Sequence, residues 1–589
     1  MTTLLFDLEA DGLLDTVTKI HCIVTLNPDT DEVKTYGPDE ISIGIQALEQ
    51  ADIIVAHNYI GYDRRVIKKF YPDFKEPDYH DTYILSQMLY ANEMQFHSID
   101  AWGKYFKRYK PAHEEWDTYS EEMLYRCKED TQILKRLWEK LTRKGQLTKL
   151  GKSIDLEYKV YEIDSEHEYW YLNVPRLQHF IKRLSLLQDL YLKVIQDKAG
   201  PIPTKGTPFK KLYKKDGNLK VTVVRWAEEE NIELSSISGD FTRINWVALN
   251  PKSNPVLIKW LLSIGWKPEK YSEKTDKPLT QGTEYLGVRS DIRPLLQKYN
   301  MIVHRLGVLR GFEDKRKEDH LSTFAYTCGT NTARYRHRGV ANIPRVGTWM
   351  GKMMRSLFVV PEGQILVGCD ASQLESRIEG HYTAAYDGGE YAHMLLEEDV
   401  HQKTADNLGL TRSEGKTLNY ALQYGCSYKK VATLLNVSDQ EAKGIVALYW
   451  EMRPSATELK DSLRKSLQSR GYHPQDDLYY TRAYIKTIDN RPIFVRSWHS
   501  LVNSLIQSTG MICMKVALCI AYKKIKTLQL RARLAIMYHD EFQWICHPDD
   551  EEKLKQVLTS AIKEAGEYFK LRVPLESEAK SGLNWSKTH

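Results

Sequence analysis

Only eight of the 589 residues are cysteine, at positions 22, 127, 328, 369, 426, 513, 519 and 546, and no two form a C-x-x-C pair. That spacing excludes the common zinc and dithiol motifs and predicts reduced, mostly buried thiols that behave as small hydrophobes. No segment is an uninterrupted apolar run of bilayer-crossing length, so no membrane role is expected. The start, Met1 to Asp7, has no basic region, long apolar stretch or small-residue cleavage site, which predicts action in the compartment of synthesis, the cytoplasm. Nor is there a large excess of charge: 83 Lys and Arg against 78 Asp and Glu leave +5, weak support for a nucleic-acid partner unless local clusters carry it. With 42% hydrophobic and 27% charged residues the composition is that of a globular protein, and the length requires more than one hydrophobic core.

Aromatic residues are plentiful, with 13 Trp and 36 Tyr. Interleaved with Lys and Arg they suit a surface that grips phosphates and stacks bases, and they equally suit aromatic-rich cores. The acidic residues are more informative. Residues 3–9 read as a buried strand running into the turn signal Asp11-Gly12. Side chains two apart on a strand face the same way, so Asp7 and Glu9 project together while Leu8 points inward, half of a hard-cation site. A second apolar run, Ile53-Ile54-Val55-Ala56, leads to His57 and on to Asp63, and a charged helical stretch from Ser120 to Thr142 carries Asp130. Alternating strands and helices with acids at strand ends fit an α/β domain.

These four acids, in this order, resemble the DEDD 3′-to-5′ exonuclease domain of family A DNA polymerases, and Asp81-Thr82 with the stretch from His97 to Gly103 extends the likeness across the first 150 residues. The resemblance implies a ribonuclease-H-like fold in which Asp7, Glu9, Asp63 and Asp130 hold two Mg²⁺ ions. One position departs: the family's tyrosine four residues before the last aspartate is here Arg126, with Tyr125 five before.

Further on, the run Val360 to Asp370 reads as a strand after a turn, ending in a carboxylate followed by Ala371 and Glu375. The segments Leu534 to Tyr538 and Phe542 to Cys546 flank His539-Asp540-Glu541, which predicts a β-hairpin with acids at its tip. Between these lies a helix with Arg412, Lys416, Tyr420 and Tyr424 at four-residue spacing, a stripe of two cations and two aromatics on one face. Its sequence, Arg-Ser-Glu-Gly-Lys-Thr-Leu-Asn-Tyr-Ala-Leu-Gln-Tyr-Gly, resembles the fingers helix of family A polymerases of the bacteriophage replicative (podophage) kind, related to bacterial DNA polymerase I.

The resemblance implies a right-hand polymerase domain of palm, fingers and thumb, joined to the α/β exonuclease domain. Boundaries are expected at 1–150 for the exonuclease and 151–589 for the polymerase, with a thumb at about 151–310, fingers at about 376–485 and a palm from about 311–375 and 486–589. Asp370, the Ala371 carbonyl and Asp540 are then expected to hold two Mg²⁺ ions, with Glu541 beside them as a catalytic acid. His401, Arg412 and Lys416 are expected to meet the triphosphate, Tyr420 the sugar and base, and Glu375 to block a ribose 2′ hydroxyl. Arg334, Asn342, Tyr424, His499, Asn503 and Gln507 match positions that touch primer and template.

Residues 199–245 interrupt the matched pattern, and from 205 to 225 they carry seven cations and one acid. They read as a long basic loop, functional or solvated. The family likeness implies a thumb insertion that docks a host processivity factor of thioredoxin type. The expected partners are primer-template DNA, dNTPs and a replicative helicase-primase. No part of the chain matches a 5′ nuclease. A single-subunit RNA polymerase shares the palm and a related helix, but the exonuclease acids and Glu375 argue against it. A DNA-binding accessory protein on a decayed scaffold is hard to reconcile with six retained acids.

Overall fold

The computed structural model describes residues 1–588 apart from 92, 168, 269, 270, 273, 274, 281–284, 286 and 290, and only the backbone of 144, 479 and 480. The chain divides into two compact units, 1–173 with 316–589, and 174–315.

The larger unit begins with a five-stranded sheet. The central strand Thr3–Ala10 pairs antiparallel with Ile20–Leu26 and parallel with Ile53–Ala56; Val33–Tyr36 and Asp78–Asp81 form the edges. Leu5, Phe6 and Leu8 are buried while Asp7 and Glu9 stay partly open, as the period of two requires. Ile53–Ala56 has parallel neighbours on both sides and reads as a continuous hydrophobic run, as strands covered on both faces do.

The helix Gln146–Glu166 alters the expected division at residue 150, which falls inside it. Leu150, Ile154, Tyr158 and Tyr161 belong to the core of the five-stranded sheet, whereas Val160 and Ile163 belong to the core of the C-terminal sheet. One helix therefore serves two cores, and residues 151–173 lie in the larger unit rather than with the segment that follows.

The C-terminal sheet has four antiparallel strands in the order Ala532–Tyr538, Glu541–Cys546, Ile365–Ala371, Ser577–Gly582. Its core helix, Leu501–Thr527, is buried almost all round. This helix is the one place among the described residues that is long and apolar enough to cross a membrane, an 18-residue stretch within Trp498–Thr527 having mean hydropathy 1.5, but 89% of that stretch is buried inside the protein. The apolarity serves a core. All eight cysteines are free and six are buried, as expected of reduced thiols.

In the smaller unit the long helices Val174–Ala199 and Arg293–Lys315 contribute to a core with Trp260, Trp266 and Tyr285. The stretch read as a long loop is folded. Ile202–Phe209 and Phe241–Val247 form an antiparallel pair, and the helix Val221–Glu229 adds a small core of Leu212, Val223, Ala227 and Ile237. Phe209, Trp226 and Phe241 pack as tilted rings with centroids 5.0–5.7 Å apart. Lys210, Lys211, Lys214 and Lys215 remain exposed on it. Periodicity gave no sign of this module because its strands are broken by Pro203, Gly206 and Pro208 and present few alternating apolar residues.

Candidate active sites

Two acid clusters lie in the larger unit. In the first, carboxylate oxygens of Asp7, Glu9 and Asp130 come within 4.8 Å of one another. Asp7 and Glu9 arrive from the central strand, Asp130 from the helix Glu121–Thr142. The Cys127 thiol, one helical turn before Asp130, donates to the Asp7 carbonyl oxygen at 3.4 Å and docks helix on strand. Asp63 opens the helix Asp63–Phe70 and is buried beside the group, its charge acting on Asp7. The loop before it is shaped by Asp81, whose carboxylate accepts from the amides of Asn58 and Ile60, each at 3.0 Å, and of Tyr83 at 2.9 Å.

Burial and crowding push these acids above their ordinary pKa values. Burial, then the charges of Glu9, Asp130 and Asp63, push Asp7 well above the usual carboxylate range. Burial lifts Glu9 to about 7, against the opposing charges of Lys110 and Arg126. Burial also raises Asp63 and Asp130. Closely set oxygen donors that resist ionising on their own are matched to hard divalent cations.

The expected ambiguity at the helix resolves on one side. Tyr125 is 57% exposed, whereas Arg126 faces the acids, with Nε 3.5 Å from Glu9 Oε1 and Nη1 donating to the Pro111 carbonyl at 2.7 Å. A second cation was not foreseen: Lys110 pairs with Asp130 and its charge acts on Asp7 and Glu9 as well. It lies twenty positions before its partner in an irregular basic run, where no periodicity could reveal the contact.

The second cluster stands on the C-terminal sheet. Asp370 lies near the end of Ile365–Ala371, and Asp540 sits in the two-residue turn joining Ala532–Tyr538 to Glu541–Cys546. His539 adopts a left-handed φ of 57° there, which fits the twist of a tight hairpin. The Ala371 amide donates to the Asp540 carbonyl at 3.1 Å, holding the two acid-bearing segments together. Glu541 departs from the expectation of a third acid at the tip. It is 2% exposed, and its Oε1 accepts from Arg355 Nη1 at 2.9 Å and Trp585 Nε1 at 2.7 Å, so it ties the hairpin to the helix Gly351–Arg355 and to the turn Trp585–Lys587.

The helix Arg412–Gln423 starts at a capping box between Thr411 and Glu414. It buries Gly415, Leu418, Asn419, Ala421 and Leu422 and turns Arg412, Lys416, Tyr420 and Tyr424 outward, the stripe read from the spacing. Gly415 permits close approach: a Cβ there would lie 2.5 Å from the His401 carbonyl oxygen. As a result the His401 and Tyr420 ring centroids stand 5.6 Å apart, and Asn419 contacts His401 Nδ1 at 3.1 Å. Burial, then the charge of Lys416, lowers the His401 pKa. Burial raises the Tyr420 phenol; Arg345 offsets this in part, and the charges of Glu375, Asp540 and Asp370 add to it, which sets Tyr420 in the field of the acid pair.

Arg334 Nη2 donates to Glu375 Oε1 at 2.7 Å, and Tyr424 feels both groups. Asn342, at a left-handed φ of 58°, precedes Ile343, whose amide donates to the Tyr538 hydroxyl oxygen at 3.1 Å. Asn503 and Gln507, one turn apart, are among the partly open positions of Leu501–Thr527, and His499 lies in the short turn before it.

A family model described as DNA polymerase family A matches residues 283–587. The chain is 25% identical to the DNA-directed DNA polymerase of Enterobacteria phage T3, with 100% of both chains covered. It is 26% identical to that of Escherichia phage T7, with 99% of each covered. Among solved structures, the POL domain of Pol1 from M. smegmatis in complex with DNA primer-template and dNTP matches with a TM-score of 0.71 at 16% identity, over 99% of this chain and 96% of that one. That is a likeness of fold, and it agrees with the expected right-hand architecture. Since the family match spans more than half of the sequence and includes Asp370, Asp540 and the helix between them, this chain belongs to DNA polymerase family A.

Proposed function

We propose that this DNA-directed DNA polymerase carries two working sites on its larger unit, one that extends a primer at Asp370 and Asp540 and one that excises from the 3′ end at Asp7, Glu9, Asp63 and Asp130. The observation that supports it is the pair of acid clusters built on different sheets. Family A polymerases are metal-dependent. Divalent cations, two Mg²⁺ in our reading, would be held at the extension site by Asp370, Asp540 and the Ala371 carbonyl, where they neutralise phosphate charge and acidify the primer hydroxyl.

The chain's own groups do the rest. Arg412 and Lys416 present fixed positive charge along one face, matched to the triphosphate and to the charge that develops on leaving pyrophosphate. Tyr420 offers a flat surface to the sugar and base. Glu375 is held by Arg334, so its carboxylate is a firm wall against a ribose 2′ hydroxyl. Arg334, Asn342, Tyr424, His499, Asn503 and Gln507 contact primer and template at groove-edge acceptors that vary little with sequence.

The smaller unit acts as the thumb. Its folded basic module keeps the enzyme on DNA, directly or through a host factor of thioredoxin type, and the chain works with a helicase-primase in the host cytoplasm.

Extension of a labelled primer with Mg²⁺ and dNTPs, then incubation without dNTPs, tests the two-site reading. Asp370→Asn or Asp540→Asn should abolish extension and leave 3′ degradation; Asp7→Ala with Glu9→Ala should do the reverse. Loss of both activities from either change, in a folded protein, would refute it.

A further inference from the structure

We propose that Asn419 is a positioning residue of the extension site: with Thr404 it fixes the His401 ring in the tautomer that keeps its proton on Nε2, so that His401 meets the triphosphate as a hydrogen-bond donor. The inference rests on the extension reading above, with His401 as a triphosphate contact, and deepens it.

Asn419 lies on the buried face of Arg412–Gln423. It meets Thr404 and His401 of the helix Val400–Leu408, which Gly415 allows to come close. Asn419 Nδ2 is 3.0 Å from Thr404 Oγ1 and 3.1 Å from His401 Nδ1, and Oδ1 is 3.2 Å from Thr404 Oγ1. Thr404 has a single hydroxyl proton, and the Val400 carbonyl accepts it at 2.8 Å. Toward Asn419 the hydroxyl oxygen is then an acceptor. Turning the amide over would set two oxygens 3.0 Å apart with no proton between them. One Nδ2 proton thus goes to Thr404 and the other to His401 Nδ1, which has to offer a lone pair. The proton of the ring is left on Nε2.

Among the described residues Nε2 has no hydrogen-bond partner, and the half-buried ring packs on Tyr420 with centroids 5.6 Å apart. The bond to Asn419 also opposes charging of the ring. An imidazolium carries a second proton on Nδ1, which would face the Asn419 N–H. Burial works in the same direction, followed by the charge of Lys416; Arg412 adds to this and Asp399 opposes it. Fixed positive charge comes from Arg412 and Lys416, while His401 contributes a donor of set aim.

Nitrogen-15 NMR of the full chain carrying labelled histidine reads the tautomer, the His401 signals being assigned by their loss in His401→Gln. Between about pH 7 and 9 the unmodified chain should show a protonated Nε2 and a bare Nδ1; a protonated Nδ1 in that range would overturn the proposal. In Asn419→Asp a carboxylate faces Nδ1, so the ring charges more readily and, once neutral, keeps its proton on Nδ1. Its Nε2 lone pair then points at phosphate oxygens. The KM for dNTP in single-nucleotide insertion, taken relative to the unmodified chain, should rise roughly tenfold as pH climbs from about 6 to 9, with the kcat ratio steady. The same change placed on His401→Gln should give no such trend. Thermal melting by circular dichroism checks that each variant is folded. A KM ratio that stays flat with pH although His401→Gln itself raises KM, or one that climbs equally without His401, would refute the role of Asn419. An unchanged KM in His401→Gln would sink the triphosphate reading of His401, while the NMR signals judge Asn419 separately.

Discussion

Glu157→Gln removes one negative charge from a fully buried ionic group while keeping its shape. Glu157 accepts from Lys515 Nζ at 2.7 and 2.9 Å and pairs with Arg491, which also binds Asp489 at 2.7 Å. Lys515 is completely buried, donates to the Thr327 carbonyl at 2.9 Å and lies over the Tyr335 ring at 5.5 Å. The two cations hold the Glu157 carboxyl at about 2, against an ordinary 4.5, despite its burial. At 1.36 kcal/mol per unit that depression is worth about 3 kcal/mol of stability near neutral pH. Because the folded pKa is the lower one, this contribution is complete above about pH 4.5 and fades as pH falls toward 2. Glu157→Gln should therefore destabilise by about 3–5 kcal/mol at pH 6.5, since it leaves a buried ammonium short of its counter-charge. At pH 3.5 the gap to the wild type should narrow by about 1 kcal/mol. Lys515→Met together with Glu157→Gln should cost less than the two single changes summed, because the pair leaves together. Urea unfolding followed by tryptophan fluorescence measures all of this. A Glu157→Gln cost below about 1 kcal/mol, or a gap that does not change between the two pH values, would refute the reasoning.

Three further outcomes follow from the geometry. Gly415→Ala places a methyl 2.5 Å from the His401 carbonyl oxygen, so it should push the two helices apart and raise the KM for dNTP severalfold while destabilising by about 1–3 kcal/mol; unchanged steady-state kinetics would show the contact to be soft. Glu375→Ala removes the carboxylate that Arg334 holds, so the efficiency ratio of rNTP to dNTP should rise at least tenfold in single-nucleotide insertion, and an unaltered ratio argues against the gate. Replacing Lys210, Lys211, Lys214 and Lys215 with Ala should shorten product length per binding event and flatten its salt dependence without slowing single-nucleotide insertion, as measured with a DNA trap; equal lengths would reduce the module to a solvated surface.

What could be read from the chain beforehand was whatever a short period fixes. Asp7 and Glu9 on one strand face, and the stripe from Arg412 to Tyr424, follow from residue spacing alone. So does the hairpin that presents Asp540. Side-chain partners distant in sequence left no such trace. Glu157 and Lys515 are 358 positions apart, and nothing local distinguishes either from a surface charge. Glu541 looked like a third acid because it follows Asp540, but its side chain is buried and held by Arg355 and Trp585, partners far away in sequence. Arg126 was noticed only as a departure, and Lys110, the cation on Asp130, stands in an irregular segment whose spacing carries no sign of the contact.

The helix Gln146–Glu166 belongs to both cores of the larger unit. Its Tyr158 hydroxyl accepts from the Asp81 amide at 2.9 Å and its Tyr161 hydroxyl donates to Asn58 at 2.7 Å, on the side of the first acid cluster. Glu157, the residue before Tyr158, is locked to Lys515 on the core helix of the C-terminal sheet. A hinge at this point would have to strip aromatic residues from one core or unpair a buried charge in the other. The distance between the two clusters is consequently set like a ruler, and on the proposed two-site reading a mismatched 3′ end would have to cover it by unzipping and travelling as a single strand. On that reading correction would wait on how readily the duplex frays, so that a mispaired terminus would nominate itself for removal without any part of the enzyme swinging to fetch it.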